Sequence, residues 1–280
     1  MQPFTTNRVG GKLLGVVAWL YSLAAWPQSS PQLILHSQVP ISSTPVSLSV
    51  DKNDFVYIGF EDGVITKYDS VGKVQLVFSP QRLGAISLVE AWPTMLVFVF
   101  YKELQNCLFL DRFLNEQSAY AIDPNMVGFA RIATLAQDGS SIWLMDEVDF
   151  SLKKYAKNTN QPMVNTALDL LLDPTGYNIV WMREYQNLVF LHDVNSGVLI
   201  FDNLGNFKKK VELKNTNFVG IRNEELYYLE GNFLKTIHLY NAQQRQWEFS
   251  IPIKGVLQAA LLEKHLLVTT SKAIHIFSLR

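Results

Sequence analysis

The stretch Pro45-Val-Ser-Leu-Ser-Val-Asp-Lys-Asn-Asp-Phe-Val-Tyr-Ile-Gly-Phe-Glu-Asp-Gly-Val-Ile-Thr-Lys-Tyr-Asp-Ser-Val-Gly-Lys-Val-Gln-Leu-Val-Phe78 decides the fold. It holds four short runs of β-prone residues separated by turn residues. Val46–Val50 alternates apolar and small polar side chains, and Asp51-Lys52-Asn53-Asp54 is a polar turn. Phe55–Phe60 is aromatic and β-branched, the composition of a buried strand. Glu61-Asp62-Gly63 reads as a tight hairpin, because glycine supplies the positive φ such turns use. Val64–Tyr68 is the third run, Asp69-Ser70-Val71-Gly72 turns again, and Lys73–Phe78 is an outer run with charge on its exposed side. The apolar spacing alternates too fast for a helix.

The third run recurs along the chain, often closed by an aspartate: Asp69, Asp111 and Asp202 hold that position. With Tyr68, Leu110, Tyr155, Phe201, Leu239 and Phe277 taken as equivalent, the steps are about 42, 45, 46, 38 and 38 residues. Repeats of roughly 40–45 residues with four strands each are the mark of propeller blades, whereas an irregular β-sandwich has no reason to keep a constant step. The last group, Val256–Leu262, His265–Thr269 and Ala273–Ser278, has three runs, and Gln32–Gln38 is a strand-like run without a partner nearby. The expectation is an all-β, six-bladed β-propeller over residues 32–280, closed by the N-terminal strand completing the C-terminal blade.

Arg8 and Lys12 precede the apolar stretch Leu13–Leu20, and Ser22 and Ala24 follow it, the pattern of a secretory signal peptide. Residues 1–24 are read as that signal and 25–31 as a linker, with an uncleaved anchor as the alternative. Leu13–Trp26 is shorter than the ~20 apolar residues a membrane span uses. Cleavage after Ala24 takes the net charge from −1 to −3. This balance offers no nucleic-acid surface. The single cysteine, Cys107, forms no internal disulfide, which fits a bacterial periplasm better than a eukaryotic extracellular space.

Two blades carry a family resemblance. Val50-Asp51, Val56-Tyr57-Ile58, Gly63–Asp69 and Gly72-Lys73-Val74 resemble the NHL repeat, as do Asn187–Phe190 and Gly197–Phe207. The other blades share only the period. The resemblance implies a propeller of the NHL or TolB-like kind and leaves that group's range open, from protein and RNA binding to lactone hydrolysis. No blade has the Gly-His and Trp-Asp marks of WD40 repeats.

Lactonase-type propellers hold a hard cation at the channel mouth with oxygen ligands from several blades. Glu90, Glu184, Asn223 and Glu263, at the ends of first strands, are the set that could do so here. Each reads equally as a solvated loop residue, and convergence on one point is not expected. Val46-Ser47-Leu48, Ala85-Ile86-Ser87 and Val256–Ala259 suggest a largely neutral channel wall. His36, His192, His238, His265 and His275 show no ligand spacing, and no nucleophile elbow or phosphate loop is present. His192-Asp193 is the one pair with the look of a dyad. Trp92, Trp181 and Trp247 could form a contact patch or belong to the core, and Lys208-Lys209-Lys210 is a basic run on an outer strand. No catalytic, cofactor-binding or metal-ligating residue is assigned. The reading is a non-enzymatic exported propeller that binds another envelope protein, with no transmembrane span after signal removal. The alternatives are a metal-dependent lactonase- or esterase-like hydrolase, a sugar-binding propeller, or a purely structural envelope component. N-terminal sequencing of the native protein is expected to begin at Ala25; a chain beginning at Met1 would refute the signal.

Overall fold

The computed structural model describes residues 31–80, 84–157, 159, 161–213 and 215–279; the signal read over residues 1–24 lies outside them. All regular elements among these residues are strands, and no helix is long and apolar enough to cross a membrane. The chain enters with β1 (Gln32–Pro40). A first blade follows: β2 (Pro45–Val50), β3 (Val56–Phe60), β4 (Ile65–Tyr68) and β5 (Val74–Phe78). The second is β6 (Leu88–Glu90), β7 (Leu96–Tyr101), β8 (Asn106–Asp111) and β9 (Glu116–Ala121). The third is β10 (Ala130–Leu135), β11 (Ser141–Asp146), β12 (Ser151–Ala156) and β13 (Gln161–Ala167). The fourth is β14 (Ile179–Tyr185), β15 (Leu188–Asp193), β16 (Gly197–Asp202) and β17 (Phe207–Val211). Then come β18 (Val219–Arg222), β19 (Glu225–Glu230), β20 (Phe233–His238) and β21 (Gln244–Phe249). The chain ends with β22 (Gln258–Leu261), β23 (His265–Thr269) and β24 (Ala273–Leu279).

The fold is an all-β propeller, but the six separate blades expected from the repeat are not what forms. Four discrete four-stranded sheets are followed by one eight-stranded sheet, ordered β18-β19-β20-β21-β1-β24-β23-β22. The reason lies in β1. Its one edge pairs antiparallel with β24, from Leu33 opposite Leu279 to Pro40 opposite Ala273, with a bulge between Leu35 and Ser37. Its other edge would be left with bare N–H and C=O groups. These pair in parallel with β21, Gln32 opposite Glu248 and Leu33 opposite Phe249. The Glu248 N–H donates to the Pro31 carbonyl at 3.1 Å and the Ser250 N–H to that of Leu33 at 2.9 Å.

Burial is deepest in the middle strands of the blades and lowest in the outer ones. All five residues of β3 and all four of β4 are buried, while β9 and β17 expose nearly every side chain. Apolar cores fill the spaces between successive sheets: Phe98, Phe100 and Phe109 meet Ile142 and Leu144 between the second and third blades. The two halves of the eight-stranded sheet enclose a core of their own, with Leu33, Leu234, Phe249, Leu266 and Phe277. Gly59 lets β3 approach β6, since a Cβ there would stand 2.8 Å from Val89 Cγ2.

The recurring aspartates are turn formers. Asp69 Oδ1 accepts from the N–H groups of Val71 and Lys73 at 3.1 and 2.9 Å. Asp111 Oδ1 does the same for Phe113 and Asn115 at 2.8 and 2.9 Å, and Asp202 Oδ1 for Leu204 and Asn206 at 3.0 and 2.9 Å. One carboxylate thus satisfies two donors of a turn that has no ladder partner.

Leu33 anchors the seam, fully buried against Phe249 and Phe277. Leu33→Ala is expected to cost about 2–5 kcal/mol, the range for a truncated core leucine. Urea unfolding measures it, and an unchanged midpoint would show that β1 does not hold the ring together.

Candidate functional site

The first strands β2, β6, β14, β18 and β22 line a central channel, which widens at one mouth into a cavity of about 410 Å³. Strand alternation decides what it presents. In β14, Trp181, Arg183 and Tyr185 line the cavity, while Met182 and Glu184 are buried on the other face. Trp92, just past the end of β6, and Phe218, just before β18, complete an aromatic wall.

Arg183 is the centre of this wall. Its guanidinium carbon lies 5.8 Å from the ring centroids of both Trp92 and Tyr185. Nη1 donates to the Ile221 carbonyl at 3.4 Å, and Nε is buried without a hydrogen-bond partner. Burial works against the Arg183 charge, and the Glu90 carboxylate partly restores it. Glu90, at the end of β6, is itself buried. Its Oε1 and Oε2 accept from the Thr134 hydroxyl at 2.7 and 2.8 Å, and Oε2 also accepts from the Leu135 N–H at 3.0 Å. Desolvation pushes the Glu90 carboxyl up from 4.5 to about 7, against the opposing pull of those hydrogen bonds and of Arg183. The neutral wall expected from the first strands is therefore corrected: it carries Glu90, Arg183 and Arg222.

The structure does not gather the four residues of the hard-cation set. Glu90 and Asn223 line the cavity. Glu184 points away from it, where its Oε2 accepts from the Gln137 N–H at 3.0 Å and the Trp143 indole N–H at 2.9 Å. Glu263 is exposed, and its own N–H donates to Asp54 Oδ2 at 2.9 Å. Among the described residues no group of three or more His, Cys, Asp or Glu is placed to hold a metal ion. His192 and Asp193 are consecutive on β15 and face opposite ways, so they form no dyad. Burial drives the His192 pKa down to about 4, and Asp193 Oδ1 accepts from the Asn178 N–H at 2.6 Å. Of the tryptophans, Trp92 and Trp181 are channel residues and Trp247 lies on β21 with Arg245 over its ring at 5.3 Å. Arg183 was missed in the sequence; the signal was the alternation Trp181, Arg183, Tyr185 on a first strand.

No protein-family model matches the chain. No curated protein matches its sequence. Among solved structures it is similar to the WD40 domain of Neurospora crassa Pan2, with a TM-score of 0.59 and 10% identity over 84% of this chain and 89% of that one. At that identity the likeness speaks for the propeller fold alone.

Glu90 makes stability depend on pH in a defined direction. Between pH 4.5 and 7 the folded chain holds a proton on Glu90 that the unfolded chain releases, so stability falls as pH rises through this window and levels off above it. At about 1.4 kcal/mol per pKa unit, the total is roughly 3 kcal/mol. Glu90→Gln removes the dependence. Denaturant unfolding at pH 5 and pH 8 is expected to show a smaller loss in the variant than in the wild type by about that amount. Other titrating groups, His192 among them, cancel in the comparison.

Proposed function

We propose that this chain is a non-enzymatic, exported β-propeller of the bacterial envelope that holds a partner protein against the face where the channel opens. The observation that carries the reading is an exposed apolar patch at that mouth. Met95 is 63% exposed and Phe113 57%. They sit in the β6–β7 and β8–β9 turns, at the same end of one antiparallel sheet. Arg112 joins them, with its guanidinium carbon 4.8 Å from the Phe113 ring centroid and Nη1 4.0 Å from Met95 Sδ. Thr94 accepts from the Lys52 N–H at 3.3 Å, which ties the patch to a channel-lining residue. Elsewhere on the rim, exposed Tyr240 donates to Gln186 Oε1 at 2.6 Å, and Gln186 to Glu224 at 3.2 Å. Aromatic residues, methionine and arginine are the side chains that protein interfaces concentrate.

Other observations support binding over hydrolysis. Glu90 and Glu184, the buried carboxylates of the cation set, are each engaged by a neighbouring sheet. The repeats at residues 50–74 and 187–207 support placing the chain with NHL or TolB-like propellers, and the pattern at residues 8–25 supports export.

Capture on the full-length protein from the envelope fraction of its source cells tests the reading. A folded Met95→Ala/Phe113→Ala double variant is expected to lose the captured protein at least about tenfold, the effect of removing central interface anchors. Equal capture by both proteins, or no partner above background, would overturn it.

A further inference from the structure

Three arginines reach from the first strand of one blade to a backbone carbonyl of the next first strand. Arg131 Nε donates to Ile179 at 3.4 Å, Arg183 Nη1 to Ile221 at 3.4 Å and Arg222 Nη1 to Leu261 at 3.2 Å. Two of them also have a carboxylate: Arg131 pairs with Glu147 at 3.0 Å and Arg222 with Asp54 at 2.8 Å. Arg183 has none. Glu90 faces the same cavity, but its oxygens are engaged by Thr134 and Leu135. Asp51, also on the cavity wall, accepts from the N–H groups of Asn53 and Phe55 and from the Tyr57 hydroxyl.

A guanidinium presents five N–H donors in a planar fork that matches a carboxylate. Arg183 uses one long bond, and its Nε is buried without an acceptor. A buried charge without its counter-ion is costly, and an anion arriving from outside would offset that cost. The space beside it is about 410 Å³, within the range of small-molecule sites. Its walls are Trp92, Trp181, Tyr185 and Phe218, which favour a flat or apolar body. Of the other cations on the lining, Arg222 is held by Asp54 and Lys52 is exposed to water, so a phosphate would bring more charge and more acceptors than Arg183 can satisfy.

We propose that the channel mouth binds a small carboxylate-bearing molecule with a planar or apolar body, its carboxylate forked onto Arg183 and its body lying against Trp92 and Trp181. This ligand supplies the counter-ion that Glu147 and Asp54 supply to the other two arginines. It occupies the channel and not the rim, so it is separate from the docking of a partner protein.

Calorimetric titration with phenylacetate, its neutral analogue phenylacetamide and inorganic phosphate tests the site, with tryptophan fluorescence as the local readout. Phenylacetate is expected to bind the wild type at least about tenfold more tightly than phenylacetamide or phosphate, the difference one charge-assisted pair makes. Arg183→Gln should lose that preference, and Arg183→Lys should recover part of it. Equal binding of acid and amide, preference for phosphate, undiminished binding by Arg183→Gln, or no response to phenylacetate at millimolar concentration would overturn the proposal. If Arg183→Gln does not fold, the contrast between acid and amide on the wild type decides alone.

Discussion

A strand at the axis of a ring of sheets has one edge bonded to its own sheet and the other facing its neighbours, too far for a ladder. Its outward N–H and C=O groups are nonetheless buried, and each left unpaired would cost about 1–3 kcal/mol. Side chains from neighbouring blades answer this. Ser47 and Ser49 accept from the N–H groups of Val89 and Ala91 at 2.7 and 2.9 Å. Glu90 accepts from Leu135, Glu184 from Gln137, and the Tyr227 hydroxyl from Leu261. The carbonyls are met by Arg131, Arg183 and Arg222, and that of Val46 by Gln258. The apolar cores hold the sheets face to face, but these bonds fix how the inner strands sit against one another.

The same constraint explains why polar side chains populate a wall that has no obvious need of them. Glu184 and Arg183 are consecutive, and alternation sends them to different tasks. Glu184 binds the indole of Trp143 inside the ring, and Arg183 faces the channel. Glu90 does both at once: its hydrogen bonds hold the third blade, and its field reaches Arg183. A site of this kind is built from the residues that assemble the ring, so the ligand pocket and the structural joints share atoms.

Strands and turns were readable in the sequence because their causes are local. Continuous runs of β-branched and aromatic residues mark β3 and β7, and an aspartate followed by two free N–H groups marks the turns at Asp69, Asp111 and Asp202. The eight-stranded sheet was not readable, because two residue pairs between β1 and β21, far apart in the chain, create it. The charged wall escaped for a similar reason. The windows Val46–Leu48 and Ala85–Ser87 are neutral, but β6 runs on to Glu90 and the polypeptide to Trp92. Which face of a strand looks inward depends on a register that no single run declares.

The seam also sets an order in time. The four discrete blades are built from hairpins, contacts between residues close in the chain, and each can form as soon as its own strands exist. Strand β1 comes before all the other described strands, yet Leu33 pairs with Leu279 of β24, which follows all of them. Closing so long a loop carries a large entropy cost and waits until β24 exists. Until then β21 and β24 expose open edges and Phe249 and Phe277 lack the leucine that covers them, so the chain is open to misassembly for as long as this contact is unmade.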